Sequence, residues 1–592
     1  MYPVRAAVVV LGLSISPGRS LAFRTVGTKL GYRAGIAKSL AFGFAMSTKR
    51  ALGIQRESRV ASSMRAASST TCATTVAGQR ELYDKLCEKL REVERLSGIQ
   101  GLLSWDEQVM MPSGATGARA NQKTALAGIL HEKRVDPDLG EILRRLGPDL
   151  KGAAGLSPEE AAVVRDAARD YQHETRKTKE LASREADTES RAYAAWVEAR
   201  KEGDWKIFAP LMQEVIDLRR EVAEATRPEL ASAYEGCVDQ FERGMSSERL
   251  REVFDELKAE LVPLLRAIQD KVAEEEGTGA AEKRFPQALH NGPRWDRDQQ
   301  AALCKDMAER LGFDMSKGRL DVSVHPFTGG PGPSDVRITT RYSENWVEGV
   351  SGTVHEVGHA LYEQGRPGGD AEDLPVSRAL SMGVHESQSL LWERMVFLSL
   401  PFWKFAAPLV HERFPHTAGV SPEAFHRGLN RVAPGFIRVD ADEVTYPLHI
   451  ILRFEIEQGL MDGSIRVPEV PEVWNAKMKE LLGIDVSGDS EGCLQDIHWS
   501  IGALGYFPSY TLGAIMACQF FDAAKRAMPE LEDCLARGDF ESLKSWLNKE
   551  VHAKGSLFSS PDELLEQVTG ETMRPKALVD HLRAKYTELY DL

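Results

Sequence analysis

Nowhere in the 592 residues do about 20 consecutive apolar side chains occur, so the sequence contains no membrane-spanning helix. Cysteine is sparse: Cys72, Cys87, Cys237, Cys304, Cys493, Cys518 and Cys534 are scattered, and none forms a CxxC pair. That scatter excludes a disulfide framework and indicates reduced thiols. It also excludes a cysteine zinc cluster, so any metal must be held by histidine and carboxylate. Positive charge is in deficit, 74 Lys and Arg against 88 Asp and Glu for a net −14, which argues against nucleic acid as the main partner. Internal repeats and long linkers are missing too, which excludes a solenoid. The 42% hydrophobic and 27% charged content is that of an ordinary globular protein. A single core stops growing at roughly 250–300 residues, so a chain this long predicts two lobes or one large elongated helical body.

Residues 1–79 have a different texture. Eleven Lys or Arg stand there against one acid, Glu57, among Ser, Thr, Ala and Gly. This is the composition of a targeting or transit segment, which lies outside the fold. Arg5 precedes an apolar run at 6–15, and Ser20-Leu21-Ala22 before Phe23 supplies a signal-like cleavage site. A signal followed by a basic, Ser-rich transit segment resembles the bipartite address of plastids acquired by secondary endosymbiosis. The plastid is therefore the favoured compartment. The alternatives are a mitochondrial transit peptide, or a cytoplasmic product starting at Met46 or Met64. Without the segment the net charge moves from −14 to nearer −24, which suits small soluble substrates better than anionic polymers.

Residues 80–592 read as one mainly α-helical body. Leu82, Leu86, Leu90, Val93 and Leu96 recur at three- and four-residue spacing among charges. Ser157-Pro158, with Glu159 and Glu160 next, is a helix start. The long charge-laced stretches at 165–202, 210–225 and 246–276 are solvated helix faces. Between 284 and 345 Pro and Gly become frequent, and β-like runs at 320–324 and 336–340 predict a small sheet or hairpin inserted in the helical body.

Thr353-Val354-His355-Glu356-Val357-Gly358-His359 contains HExxH. On a helix, four residues advance about 400° and roughly 6 Å, so both imidazoles face one cation. Glu356 projects into the same cleft, where it can take a proton from a water that zinc has made acidic. The flanking Val354, Val357 and Leu361, with small Gly358 and Ala360, suit a buried helix ending at Gly365 before Pro367. A chance match is uncommon in a chain with 14 His. A catalytic zinc takes three protein ligands and leaves a position for water. The spacing leaves the third ligand open between Glu386 and His385, on a second helical run after the Pro367-Gly368-Gly369 loop. Glu363, one turn past His359, reads as a supporting partner.

Further strings accompany this motif: His325-Pro326-Phe327; Asp335-x-Arg337-x-Thr339; His385-Glu386-Ser387-Gln388; Ile437-Arg438 with Ala441-Asp442-Glu443, Tyr446, His449 and Arg453; and Gly492-x-x-Gln495-Asp496-x-His498-Trp499. Together, in this order, they resemble the thermostable carboxypeptidase, or carboxypeptidase Taq, family over about residues 80–592. The resemblance implies a mostly helical homodimer with a deep central cleft holding one divalent metal. It implies release of single residues from peptide C-termini with broad tolerance, and it selects Glu386 over His385 as third ligand. Zinc is the expected metal, although cobalt or manganese could occupy the same ligands.

A carboxypeptidase must recognise a terminal carboxylate, and the planar fork of arginine does this best. Arg337 and Arg438 are the candidates, with Arg453 third; each could equally be a structural ion pair with Asp335, Asp442 or Glu443. His498 and Tyr510 resemble the oxyanion donors of related helical zinc dipeptidases, or else form a packed cluster with Trp499, Tyr506 and Phe507. His325 either shapes the substrate pocket or fixes a turn. Asp496 is a candidate to orient a histidine. Two rival functions stand beside this reading. One is an oligopeptidase cutting internal bonds of short peptides, and the other is a catalytically silent metal-binding scaffold, against which an intact Glu356 speaks.

Overall fold

The computed structural model describes residues 70–147, 156–275, 284 and 286–592. The targeting segment expected before residue 80 lies almost wholly outside them. Residues from Gln79 to Leu592 belong to one compact unit. No helix among the described residues is long and apolar enough to cross a membrane. Six cysteines, Cys87, Cys237, Cys304, Cys493, Cys518 and Cys534, are free and buried.

The architecture is mainly helical, as the periodicity predicts. Helix α1 (Thr70–Val109) buries Tyr83, Leu86, Leu90 and Val93 along one stripe. The helix Pro158–Arg176 begins with a full capping box: the Ser157 hydroxyl accepts from the Glu160 amide while the Glu160 carboxylate accepts from the Ser157 amide. One continuous apolar core extends from Ala192 to Tyr590 and includes the fully buried Trp196, Trp346, Trp392 and Trp403.

The small sheet expected between 284 and 345 is present, within 318–340. Residues 297–310 are helical, and the strands are β1 (Gly318–Val322), β2 (Thr328–Gly332) and β3 (Asp335–Thr340), in the order β1-β3-β2. β1 pairs with β3 in parallel, while β2 pairs antiparallel through an irregular register. The sequence of β2, TGGPG, has no alternating apolar pattern, so nothing local marks it as a strand; pairing with β3 makes it one.

Four helical elements frame the site. Helix α2 (Trp346–Gly365) carries HExxH and ends where Gly365 predicted. Helix α3 (Met382–Leu390), N-capped by the Ser381 side chain, carries Glu386. It continues into a π-helical segment, Leu391–Phe397, of the kind that recurs at functional sites. Helices α4 (Tyr446–Asp462) and α5 (Pro508–Ala527) close the far wall. Two glycines permit close approach here. A Cβ on Gly358 would stand 2.6 Å from the Gln388 carbonyl oxygen, and one on Gly513 would stand 2.9 Å from the Glu386 Cβ.

Candidate active site

His355 and His359 lie one turn apart on α2 with ring centroids 4.9 Å apart. Their partners fix their tautomers. His355 donates from Nδ1 to Glu393 at 2.8 Å, and His359 donates from Nδ1 to the His385 carbonyl at 3.1 Å. In the neutral imidazole this leaves each Nε2 to ligate a metal. Both point at one carboxylate, with Glu386 Oε2 3.9 Å from His355 Nε2 and 3.4 Å from His359 Nε2. All three ligating atoms lie within 4.8 Å of one another. Ligands about 2.1 Å from a tetrahedral cation stand ~3.4 Å apart, so the donor set fits a divalent metal with little adjustment.

The electrostatics agree with that fit. Burial alone would push the His355 imidazole down, but Glu386 and Glu393 overcome it and raise it to about 10. The same exchange holds both carboxyls below their usual range against the opposing effect of burial. The cluster is therefore short of positive charge. His385 is turned away from it and pairs through Nε2 with Glu363 at 3.0 Å, while Glu363 also pairs with Arg366 at 2.6 Å. Glu363 is thus a supporting residue, as its position suggests.

Glu356 is buried and faces the same cleft, a cavity of about 560 Å³ also lined by His355, His359, Glu386, Arg394, Arg438, Tyr446, Tyr506 and Tyr510. Its Oε2 accepts from the Thr328 hydroxyl at 2.5 Å, so the start of β2 orients the carboxylate.

The other candidates divide. Arg438 lines the cavity and donates from Nε and Nη2 to Asp496 Oδ1 at 3.0 and 2.8 Å. Arg453 donates from Nε to the other oxygen of Asp496 at 2.7 Å, and Gln495 joins the two arginines. Burial would raise the Asp496 carboxyl, but these guanidiniums hold it far below the usual range. Two positive charges thus share one negative charge beside the cleft. Asp496 does not orient His498 by hydrogen bonding: His498 Nδ1 is 3.8 Å away and without a partner among the described residues, because the carboxylate oxygens are taken by arginine.

Tyr510 faces the cavity, and His498 stands behind it with Nε2 3.4 Å from the Tyr510 hydroxyl. Burial lowers His498 to about 3 and raises Tyr510, so both are neutral. Arg337 is not brought to the cavity. It forks onto Asp335 at 2.9 and 2.8 Å and lies against the Trp105 ring, which is the ion-pair alternative. His325 is buried beside the cavity without lining it; its neighbours Pro326 and Phe327 do.

Sequence reasoning missed Glu393, Thr328 and Arg394. Glu393 had a signal, since it lies seven residues after Glu386 and so on the same face two turns on. Thr328 and Arg394 had none.

The profile of a known family, the carboxypeptidase Taq (M32) metallopeptidases, matches residues 85–586. The chain belongs to this family. Thermostable carboxypeptidase 1 of Thermus thermophilus is 38% identical over 517 residues, covering 86% of this chain and 99% of that protein. Carboxypeptidase 1 of Bacillus subtilis is 32% identical over 86% of this chain and 98% of its own. Among solved structures, the M32 carboxypeptidase of Deinococcus radiodurans superposes with a TM-score of 0.81 at 35% identity, covering 86% of this chain and all of that one. Metallocarboxypeptidase 1 of Trypanosoma cruzi does so at 0.80 and 36%, covering 86% and 99%. Family membership makes this chain a metallopeptidase acting on peptides with a divalent metal, and the His355, His359 and Glu386 cluster is where its structure offers one.

Proposed function

We propose that the chain is a zinc metallocarboxypeptidase that releases single residues from peptide C-termini. One observation carries the reading: two imidazole Nε2 atoms and a distant carboxylate converge in a cleft that also holds a second, hydroxyl-anchored carboxylate, Glu356. His355, His359 and Glu386 hold the metal. When bound, zinc supplies Lewis acidity, polarising a carbonyl and acidifying water. Glu356 accepts the proton of the attacking water. Thr328 occupies Oε2, so Oε1 takes the proton and then hands it to the leaving amine. Tyr510 donates its hydroxyl proton to the developing oxyanion, and His498 donates from Nε2 to the same hydroxyl and so aims it. His498 is in this account a positioning residue.

Arg438 is the substrate-binding arginine, in preference to Arg337, because it lines the cavity and its charge is only half balanced by Asp496. His325 shapes the wall through Pro326 and Phe327. Cobalt or manganese would fit the same ligands. The homodimer implied by the family resemblance is tested by light scattering, and the plastid address by imaging a fluorescent fusion to residues 1–79.

The test of the activity compares one peptide with a free C-terminus and its C-terminal amide. Mass spectrometry is expected to show the free acid shortened in a ladder from its C-terminus and the amide intact. Internal cleavage of the amide would instead establish an oligopeptidase.

A further inference from the structure

Three buried or half-buried arginines stand in the wall of the cleft, and they are unequally partnered. Arg341 pairs with Glu348. Arg438 forks onto Asp496. Arg394, on the π-helical segment next to Glu393, has no such anchor. It is only 6% exposed, and its Nη1 is fully buried without a hydrogen-bond partner among the described residues. Its close contact is the face of the Tyr446 ring, 4.7 Å from the centroid.

The acids around it are committed elsewhere. Glu393 accepts from His355, Glu386 faces the two Nε2 atoms, and Glu443 is held by Lys585, Tyr586 and His581. Glu393, Glu443 and Glu386 balance the Arg394 charge against burial, but the buried Nη1 still lacks an acceptor, and such a nitrogen kept in a cleft wall marks a place where a ligand supplies one.

Position narrows what that ligand is. In a peptide cut at its last bond, the terminal carboxylate lies within about 4 Å of the scissile carbonyl, one residue away. Its receptor must therefore border the metal ligands, and Arg394 follows a residue that bonds one of them. A planar carboxylate matches a guanidinium fork. Arg438 reaches the same tyrosine from another side, with Nη1 3.5 Å from the Tyr446 hydroxyl. We propose that Arg394 is a second carboxylate-binding residue. With Arg438 it clamps the substrate's terminal carboxylate around Tyr446, which makes the cleft selective for a free C-terminus. This rests on the exopeptidase reading above.

The test uses two dipeptide hydroxamates, identical except that one ends in a free carboxylate and the other in a carboxamide. Both are titrated calorimetrically into the zinc-loaded full chain. The wild type is expected to bind the carboxylate ligand on the order of 30-fold or more tighter than the amide. Arg394→Met is expected to lose most of that preference while still binding the amide ligand, which reports an intact fold and metal. Arg394→Lys, which keeps the charge but not the fork, is expected to retain an intermediate preference. A wild type without preference overturns the exopeptidase reading and the clamp with it. A preserved preference in Arg394→Met overturns Arg394 alone. So does loss of the amide ligand as well, because Arg394 would then be supporting the metal site.

Discussion

At the scale of single residues, the site separates what holds a metal from what moves a proton. Glu356 is not one of the three groups whose ligating atoms converge; its carboxylate is tied to Thr328. Glu356→Gln is therefore expected to retain a full equivalent of metal by elemental analysis while turnover falls by about 10²–10⁴-fold. Near-normal peptide hydrolysis by that variant would remove Glu356 from the mechanism. Glu393 has the complementary role. Its hydrogen bonds among the described residues go to His355 Nδ1 and the Ser351 hydroxyl, so Glu393→Ala is expected to weaken metal affinity roughly 10–100-fold, as loss of a carboxylate behind a ligating histidine does. Competition with a chelator measures this, and unchanged affinity would mean that His355 is oriented without it. HExxH was legible because both histidines and the glutamate are set by one helical turn. Arg438 and Arg337 could not be separated in sequence, since each has an acid within reach and only the fold shows which one borders the cavity.

At the scale of elements, α3 is the part that makes the site. The spacing from His359 to Glu386 is 27 residues, too long for local geometry to fix, and the family resemblance rather than the spacing selected Glu386. In the structure the placement comes from packing. Gly358 lets α2 meet the backbone of α3, and Gly513 lets α5 press on the Glu386 side chain. The buried Glu242 carboxyl, which burial raises to about 7, accepts from the Gly383 amide in the first turn of α3. Gly513→Ala would put a methyl 2.9 Å from both Cβ and Cγ of Glu386. Overpacking of this kind costs about 1–3 kcal/mol, and here the easiest relief is movement of the ligand. The variant is expected to lose metal affinity out of proportion to its fall in melting temperature; equal metal affinity in variant and wild type would show that Glu386 is not held by α5. β2 shows the opposite limit of legibility. TGGPG carries no strand signal, yet its first residue, Thr328, orients the proposed base.

Across the whole molecule, titratable groups are buried in states that pH can reverse. His498 and His173 are buried, and burial lowers them from 6.5 to about 3 and about 4. Both nitrogens of His173 lack hydrogen-bond partners among the described residues. Folded chains keep these imidazoles neutral, whereas unfolded chains protonate them below pH 6.5. Their contribution is therefore complete above the unfolded value and is lost as pH falls toward the folded ones. Each withdraws about 1.4 kcal/mol of stability per pH unit in that window. Asp496 and Glu443 act in the same direction at lower pH, since their arginine and lysine partners hold both far below the usual carboxylate range despite burial. Against a total stability of about 5–15 kcal/mol, two histidines are enough to bring acid unfolding to mildly acidic pH. Melting temperatures of the apo chain are expected to fall between pH 6 and 4, where His325, His426 and His552, lowered by burial to about 4, 4 and 3, act with these two and outnumber Glu242, which burial raises to about 7 and which acts in the opposite sense. His173→Gln should flatten the fall by one histidine's share, because glutamine has nothing to protonate. A curve flat from pH 7 to 4.5, or an unchanged slope in that variant, would show that these imidazoles reach water and protonate without unfolding the chain.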